Sequence, residues 1–197
     1  MLWLSACGAS SPAATSTDAS GANMDSAALP APPTTTGCEG ASLLPVPADP
    51  ALPGPWSVGA RTVELPGLAT GTTLRAEVWY PASPGSAAGK SSIAYDLREH
   101  LSKDDAAKLT DAKNPLQVCN CFRDLPLDVT HGPYPMVLFL HGTAGFRTQS
   151  LQLMTHWASR GLVVVAADHP GLELKSVLAL DFNLDQAKEA VVLLQSL

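Results

Sequence analysis

Two continuous apolar runs are the feature that most constrains how this chain can fold. Residues 136–140 read Met-Val-Leu-Phe-Leu and residues 162–167 read Leu-Val-Val-Val-Ala-Ala, without alternation of polar and apolar side chains. Strands of this kind are covered on both faces, as in a parallel sheet. The segment between the runs has apolar residues at helical spacing, namely Leu151, Met154, Trp157 and Ala158. With Ser150 as its N-cap and Gly161 just after its end, this helix predicts a right-handed unit of strand, helix and parallel strand.

An antiparallel hairpin is predicted upstream of this unit. Residues 61–65 and 74–80 alternate polar and apolar side chains, and residues 67–71 supply a glycine-containing turn between them. This alternation is typical of a hairpin with one solvated face. Residues 82–134 carry Pro, Gly, Ser and Lys around one predicted helical stretch at 95–113. We therefore expect residues 82–134, called the excursion below, to form an irregular connection between the hairpin and the first buried strand.

A final amphipathic helix is predicted from Asn183 to the end of the sequence. Its apolar face is formed by Leu184, Ala187, Val191 and Leu194. In an α/β protein such a helix leads to another parallel strand, which buries that face. No strand follows Leu197 in this sequence. We therefore expect the chain to be the N-terminal portion of a longer α/β domain.

The N-terminal region predicts export. Residues 4–8 read Leu-Ser-Ala-Cys-Gly, which resembles the cleavage box of bacterial lipoproteins, where Cys7 would carry the lipid. The upstream part of such a signal is missing, so a trimmed ordinary signal peptide and a chance match remain alternatives. We divide the chain into a signal remnant (1–7), a disordered Ala/Ser/Thr/Pro-rich tether (8–55) and a folded portion (56–197). The expected location is the bacterial cell envelope, through a lipid anchor, or the secreted fraction.

Composition argues against two classes of partner. The net charge is −6 and the 12 lysines and arginines are scattered, whereas nucleic-acid binding needs clustered positive charge. No apolar run approaches the roughly 20 residues that cross a bilayer. Membrane contact is therefore expected only through a lipid on Cys7, and no nucleic acid is expected as a partner.

Three cysteines remain once the lipidated one is set aside, namely Cys38, Cys119 and Cys121. They allow one disulfide, and the favoured hypotheses are a bridge from Cys38 to one of the pair or an ordinary loop. The alternative is a zinc site that adds His131 or His141 to the pair. Structural zinc sites usually place two to four residues between paired cysteines, and here there is one. We therefore predict no metal and no cofactor.

The segment that follows the first buried strand carries the chemistry. Residues 141–148, called the oxyanion loop below, read His-Gly-Thr-Ala-Gly-Phe-Arg-Thr. A glycine-containing turn at the carboxyl edge of a parallel sheet exposes backbone N–H groups, at the edge where α/β proteins bind ligands. Such N–H groups can stabilise the negative charge that develops on a carbonyl oxygen during acyl transfer.

This pattern, followed by residues 156–169 (His-Trp-Ala-Ser-Arg-Gly-Leu-Val-Val-Val-Ala-Ala-Asp-His), resembles the platelet-activating factor acetylhydrolase family. Its relatives include dienelactone-hydrolase-like and cutinase-like polyester esterases. The resemblance implies the N-terminal part of an α/β-hydrolase fold, in which an antiparallel hairpin precedes the parallel unit. It also implies a carboxylic ester hydrolase that cleaves a small ester or lipid, for example as a 1-alkyl-2-acetylglycerophosphocholine esterase in lipid catabolism.

The resemblance assigns roles within the oxyanion loop. The residue after the His-Gly pair gives one oxyanion-hole N–H in this family, and that position is Thr143. His141, Gly142 and Gly145 are expected to shape the loop, with His141 hydrogen-bonded beneath it. A general-base role for His141 is the alternative. Arg147 is expected to fix the turn through carbonyl or carboxylate groups, or alternatively to bind an anionic substrate.

The catalytic triad of the family is not encoded in this sequence. Its nucleophile lies in a G-x-S-x-G turn, which is absent here, and its acid and histidine follow later in the chain. We expect capping or surface roles for Ser150 and Ser159. Asp168 and His169 are adjacent at a strand end and so point in opposite directions, which argues against a catalytic pair. We expect Asp168 to anchor the loop and His169 at most to line the cleft.

Two functions follow from these observations. The first is a serine ester hydrolase of which this chain is an incomplete fragment, so that the isolated polypeptide hydrolyses esters no faster than background. The alternative is a non-catalytic exported lipoprotein that binds a ligand or a partner through an open sheet edge.

Overall fold

The computed structural model describes residue 40 and residues 42–67, 73–114 and 116–181. Cys7, Cys38, most of the predicted tether and the helix predicted from Asn183 lie outside these described residues.

A mixed sheet forms the centre of the described chain. Its elements, in chain order, are the strands β1 (Ser57–Pro66), β2 (Thr73–Ala82), β3 (Ala94–Tyr95), β4 (Gln117–Val118), β5 (Cys121–Arg123), β6 (Met136–Phe139) and β7 (Val163–Ala167). The α-helices are α1 (Lys103–Lys108), α2 (Leu151–Ser159) and α3 (Leu174–Leu178). The main sheet has the order β5-β1-β2-β7-β6, and β3 pairs with β4 in a separate two-stranded sheet. The fold is thus α/β, and it is consistent with part of an α/β-hydrolase fold.

The predicted strand, helix and parallel strand are confirmed. Strand β6 pairs with β7 in parallel, and α2 lies between them in the chain. Val164 and Ala166 of β7 belong to the apolar cluster that contains α2, whereas Val163 and Val165 belong to a second cluster on the other face. Both faces of β7 are buried, which explains why its sequence is apolar without alternation. The same prediction is wrong for β6 within the described residues, because β6 is the edge strand there and its residues are only half-buried.

The ends of α2 follow the predicted boundaries. Ser150 occupies the N-cap position, although its side chain makes no capping hydrogen bond. At the other end the C-cap is Arg160, and Gly161 follows with a φ of +92°, the left-handed conformation that glycine adopts readily. The Ser159 hydroxyl donates to the carbonyl of His156 and accepts from the amide of Gly54, which makes it a structural residue.

The predicted hairpin is confirmed, but the prediction of one solvated face is wrong for its second strand. Strands β1 and β2 pair antiparallel from Ser57–Ala82 to Pro66–Thr73. Trp79 of β2 belongs to one apolar cluster and Val78 and Tyr80 to the other, so both faces of β2 are covered and every residue from Ala76 onward is buried.

The excursion between residues 82 and 134 is more regular than the sequence indicates. The helical stretch predicted at 95–113 is broken into a 3₁₀ helix (Leu97–His100), α1 and a second 3₁₀ helix (Asp111–Lys113). The break occurs because Asp96 and Ser102 each cap a new short helix with their side chains. Strand β5 also returns from the excursion to pair in parallel with β1, so this segment completes one edge of the main sheet.

Cys119 and Cys121 form a disulfide with each other, with their Cα atoms 5.2 Å apart. The hypothesis of a bridge from Cys38 to one of them is therefore wrong, since each sulfur forms only one such bond. Both sulfurs are engaged, so they are not available as thiolate ligands in this state. Among the described residues no cluster of three or more His, Cys, Asp or Glu side chains could hold a metal ion.

The segment before β1 packs against the end of α2. The Arg160 guanidinium donates to the carbonyl oxygens of Pro47 and Leu52, at 2.7 Å each. The amide of Trp56 donates to the carbonyl of Ser159. Packing contacts therefore extend upstream of Trp56 to at least Pro47. Within the described residues no helix is both long and apolar enough to cross a membrane.

A buried carboxylate joins the sheet to the excursion. Glu77 of β2 is fully buried, and its carboxylate accepts hydrogen bonds of 2.7 Å from the hydroxyls of Thr62 and Tyr95. It also forms an ion pair with Arg123 of β5. Burial and the neighbouring charge of Glu77 raise the pKa of Tyr95 well above its usual value, so its hydroxyl remains a donor.

We predict that Glu77→Ala lowers the free energy of unfolding by about 2 kcal/mol, chiefly because the buried Tyr95 hydroxyl loses its acceptor. Arg123 is 42% exposed and can turn to water, which limits the loss. Urea unfolding followed by tryptophan fluorescence measures the difference. Glu64→Ala, at an exposed position of β1, is the matched control and should change stability little. Equal effects of the two substitutions would contradict this interpretation.

Candidate active site at the oxyanion loop

The oxyanion loop lies at the carboxyl edge of the two parallel strands. It leaves β6 and leads into α2, and the residues that follow β7 lie next to it because β6 and β7 run in the same direction. Asp168 and His169 are therefore neighbours of the loop in space, although they follow it by about twenty residues in the chain.

His141 is buried beneath the loop, with 1% of its surface exposed. Its Nδ1 lies 2.9 Å from the carbonyl oxygen of Gly142, and its Nε2 lies 3.1 Å from the backbone nitrogen of His169. A carbonyl oxygen can only accept and a backbone N–H can only donate, so Nδ1 carries the proton and Nε2 accepts. Both ring nitrogens therefore hold backbone groups at this edge of the sheet.

The peptide between Gly142 and Thr143 is oriented by two donors. The Gly142 carbonyl accepts from His141 Nδ1 and from the amide of Gly145, at 2.9 Å each. In a trans peptide the N–H points away from the C=O, so the Thr143 N–H is directed away from these two donors. Thr143 is exposed, and its N–H meets no acceptor within the part of the chain that the structure describes. The loop therefore presents this N–H outward.

The middle of the loop is braced by the chain that follows β7. The amide of Ala144 donates to the carbonyl of Leu172, and the amide of Leu174 donates to the carbonyl of Gly145, at 2.9 Å each. Ala144 adopts a φ of 59°, in the left-handed region that costs a residue with a Cβ about 1 kcal/mol or more. The brace from Leu172 and Leu174 holds the loop in this unfavourable conformation.

Arg147 and Asp168 clamp the end of the loop to the end of β7. The Arg147 amide donates to Asp168 Oδ1 at 2.7 Å, and its guanidinium forms an ion pair with the same carboxylate. Arg147 is 1% exposed. Burial opposes ionisation of Asp168, but the neighbouring His100, whose Nδ1 lies 3.6 Å from Oδ1, and the charge of Arg147 outweigh burial and hold the pKa of Asp168 well below the usual range. Arg147 thus binds carboxylates of the protein, as the sequence predicts.

Sequence reasoning missed the contribution of the excursion to this site. His100 is buried, its Nε2 lies 3.1 Å from the Thr148 hydroxyl, and its ring stacks on Phe146 with centroids 4.4 Å apart. Glu99 accepts from the Arg147 guanidinium at 3.0 Å. No sequence pattern signals these contacts, because the partners lie nearly fifty positions apart and share no motif.

His169 is buried beside His141, with 1% of its surface exposed. The two rings have centroids 5.0 Å apart, and the Asp168 carboxylate faces Arg147. Burial, followed by the nearby His141, lowers the pKa of His169 to about 4. The arrangement is that of a neutral packing residue under the loop.

We predict that a substitution at Gly145 destabilises the protein while one at Gly142 does not. A Cβ at Gly145 would lie 2.8 Å from the carbonyl oxygen of Gly142 and 2.9 Å from the Cβ of His141. A Cβ at Gly142 would meet nothing within 4 Å. Gly145→Ala should therefore cost about 1–3 kcal/mol, and Gly142→Ala well under 1 kcal/mol. Thermal unfolding measures both, and a larger loss for Gly142→Ala would contradict the described packing.

We predict that stability falls as the pH drops from about 6.5 toward 4. The pKa of His169 is about 4 in the folded protein and about 6.5 in the unfolded chain, so the unfolded chain binds more protons in this window. The contribution of His169 to the free energy of unfolding is complete above pH 6.5 and decreases by at most about 3 kcal/mol on acidification. Urea unfolding at several pH values should show a flatter profile for His169→Gln than for the wild type. Parallel profiles would refute the assignment.

Comparison with known proteins identifies the family of this chain. The model of the family "Platelet-activating factor acetylhydrolase, isoform II" matches residues 49–175. No curated protein matches significantly. A ferulic acid esterase from Streptomyces cinnamoneus matches in structure with a TM-score of 0.42 and 21% identity. That alignment covers 68% of this chain and 43% of the esterase, so the chain spans less than half of that protein. Since the family match covers more than half of the sequence, the chain belongs to the platelet-activating factor acetylhydrolase, isoform II, family of α/β-hydrolase-like esterases.

Proposed function

We propose that this chain supplies the oxyanion-binding half of a serine carboxylic-ester hydrolase. The observation that carries the proposal is the outward-facing N–H of Thr143, on a peptide whose carbonyl is held from behind by His141 and Gly145. Membership of an esterase family supports the same reaction class.

The chemistry follows from the position of this N–H. When a nucleophile attacks an ester carbonyl, negative charge develops on the carbonyl oxygen. A donor that is already oriented needs no rearrangement at that moment, and one such donor contributes on the order of 2.7–4 kcal/mol. In this mechanism Thr143 acts only through its backbone. The nucleophile and the second donor come from a G-x-S-x-G turn, which this sequence does not contain.

The described clefts do not form the acyl pocket. One cleft of about 470 Å³ lies between α2 and the segment before β1, where it is lined by Trp56, His156 and Ser159 among others. Another of about 490 Å³ lies beside the start of α2 and includes Leu116, Val118 and Leu153. Neither includes Thr143. We therefore propose that residues beyond those described complete the pocket and select the acyl chain.

We propose a small ester or a lipid with a short acyl chain as the substrate, with an acetylated glycerophospholipid as the first to test. This rests on the family and not on a pocket. The assay compares esters that differ only in acyl length, on the protein encoded by the complete locus. A steep decline of kcat/KM beyond short acyl chains supports the proposal, and a maximum at long chains contradicts it.

We also propose that the protein is exported, either secreted or anchored in the bacterial envelope through a lipid on Cys7. The disulfide between Cys119 and Cys121 supports an oxidising compartment. Mass spectrometry of the envelope fraction should find a diacylglyceryl group on Cys7, and Cys7→Ala should release the protein. An unmodified thiol in the mature chain would contradict the anchor.

We predict that Thr143→Pro lowers kcat by about 10²–10³-fold in the protein encoded by the complete locus, because proline has no N–H to donate. Thr143→Ala keeps the N–H and is the matched control, with kcat close to the wild-type value. Steady-state hydrolysis of p-nitrophenyl acetate measures both. Equal activity of the two variants would exclude Thr143 as the oxyanion donor.

The same assay separates the enzyme from a binding protein. Rapid turnover of p-nitrophenyl acetate by the complete gene product, lost when the serine of a G-x-S-x-G turn is replaced, supports the hydrolase. The absence of turnover favours a non-catalytic exported protein that binds through the edge strand β6, whose residues are only half-buried. Serine-dependent turnover by the 197-residue chain alone would contradict the assignment of the nucleophile elsewhere.

A further inference from the structure

We propose that the 3₁₀ helix Leu97–His100 positions the oxyanion loop, with His100 and Glu99 as positioning residues. The proposal rests on the proposed function, because it concerns the same oxyanion donor. It assigns a role to the excursion between β2 and β6, which the sequence presents as an irregular connection.

His100 contacts three consecutive residues of the oxyanion loop. Its ring stacks on Phe146 at an interplanar angle of 24°. Its Nδ1 lies 3.3 Å from the Arg147 guanidinium, and its Nε2 lies 3.1 Å from the Thr148 hydroxyl. The Thr148 hydroxyl donates to Gln117, so it accepts from His100. Because His100 is 95% buried, these contacts are shielded from water and fix the ring in one orientation.

Glu99 completes the clamp from the solvent side. Its Oε2 lies 3.0 Å from the Arg147 guanidinium and 3.2 Å from that of Arg75, a residue of β2. The Arg147 guanidinium is thus held between Glu99 of the excursion and Asp168 of β7. Glu99 is 42% exposed, so water screens its attraction and its effect should be smaller than that of His100.

The helix that carries these residues is itself fixed within the excursion. The Asp96 carboxylate accepts from the amide and guanidinium of Arg98 and from the side-chain amide of Asn114. Arg98 also bonds to Asp111 at 2.7 Å. The 3₁₀ helix therefore gives His100 and Glu99 a rigid base from which to hold the loop.

The loop residues that His100 and Glu99 contact lie a few positions after Thr143, the proposed donor, along the chain. Phe146 directly follows Gly145, whose amide orients the Gly142 carbonyl and with it the Thr143 N–H. A shift of Phe146 and Arg147 is therefore passed to the Thr143 peptide through covalent geometry. An error of about 1 Å in the position of a catalytic group can lower a rate by up to about 10²-fold.

Hydrogen exchange of this chain tests the positioning role without relying on activity. We expect His100→Ala to accelerate exchange of the amides of residues 144–149 by about tenfold or more, with little change in β1 and β2. His100→Phe, which keeps the ring stack on Phe146, should have a smaller effect, and Glu99→Gln the smallest. His131→Ala is the matched control, since it removes another histidine bonded to a carboxylate, at 2.6 Å from Asp128, before β6 begins.

Kinetics of the protein encoded by the complete locus provide the second measurement. We expect His100→Ala to lower kcat by roughly tenfold to a hundredfold with KM nearly unchanged, and His131→Ala to leave both near wild type. Unchanged loop exchange in every His100 and Glu99 variant overturns the proposal. So does acceleration spread equally over the loop and the sheet, because it shows only a loss of stability.

The two proposals fail in different ways. A wild-type gene product without esterase activity contradicts the proposed function, while the exchange measurement still decides whether the 3₁₀ helix holds the loop. An active enzyme in which Glu99→Gln and His100→Phe change neither loop exchange nor kcat contradicts only the positioning role. Both of these variants retain a side chain of similar size, so the test does not depend on whether His100→Ala folds.

Discussion

The buried ion pair between Arg147 and Asp168 is the interaction on which the candidate site depends. It joins the loop after β6 to the end of β7, so the edges of two parallel strands become one surface. Burying a guanidinium costs several kcal/mol unless its charge and its donors are matched. Asp168 matches the charge and also accepts from the Arg147 amide, while Glu99 and His100 occupy further positions around the guanidinium.

Two other buried carboxylates are matched by nearby donors, one in the sheet and one in the segment before β6. Glu77 is buried in β2 and is satisfied by Thr62, Tyr95 and Arg123. Asp128 is buried before β6, where it accepts from Trp56 at 2.9 Å and from His131. Each carboxylate connects segments that are distant in the chain, which makes the position of the excursion specific. An oxyanion donor gains its value from being oriented before the reaction, and at the loop after β6 that orientation depends on the Arg147–Asp168 pair.

The fold could be predicted from sequence where the signal is local. The apolar runs of β6 and β7 and the spacing of α2 follow from periodicity, and the hairpin of β1 and β2 follows from alternation. Strand β5 has three residues, which are too few to show a periodic pattern. Its pairing with β1 could therefore not be predicted from the sequence. The sequence of residues 95–113 predicts one helix, but the structure has several short ones. Asp96 and Ser102 fit poorly in a helix interior, and each instead caps the start of a short helix.

The candidate site could likewise be predicted only in part from the sequence. The positions of Thr143, His141 and Asp168 follow from a motif, and the structure brings them to one edge of the sheet. The brace from Leu172, the left-handed Ala144 and the clamp from His100 could not be predicted, because they depend on which distant segments meet in space. Such contacts are set by tertiary packing and leave no periodic trace in the sequence.

A crystal structure of the protein encoded by the complete locus, with a phosphonate bound covalently to its nucleophile, tests the central claim most directly. The phosphonyl oxygen occupies the place of the developing oxyanion. We expect this oxygen to lie about 2.7–3.1 Å from the backbone nitrogen of Thr143. An oxygen that faces other donors, with the Thr143 N–H turned to solvent, would contradict it.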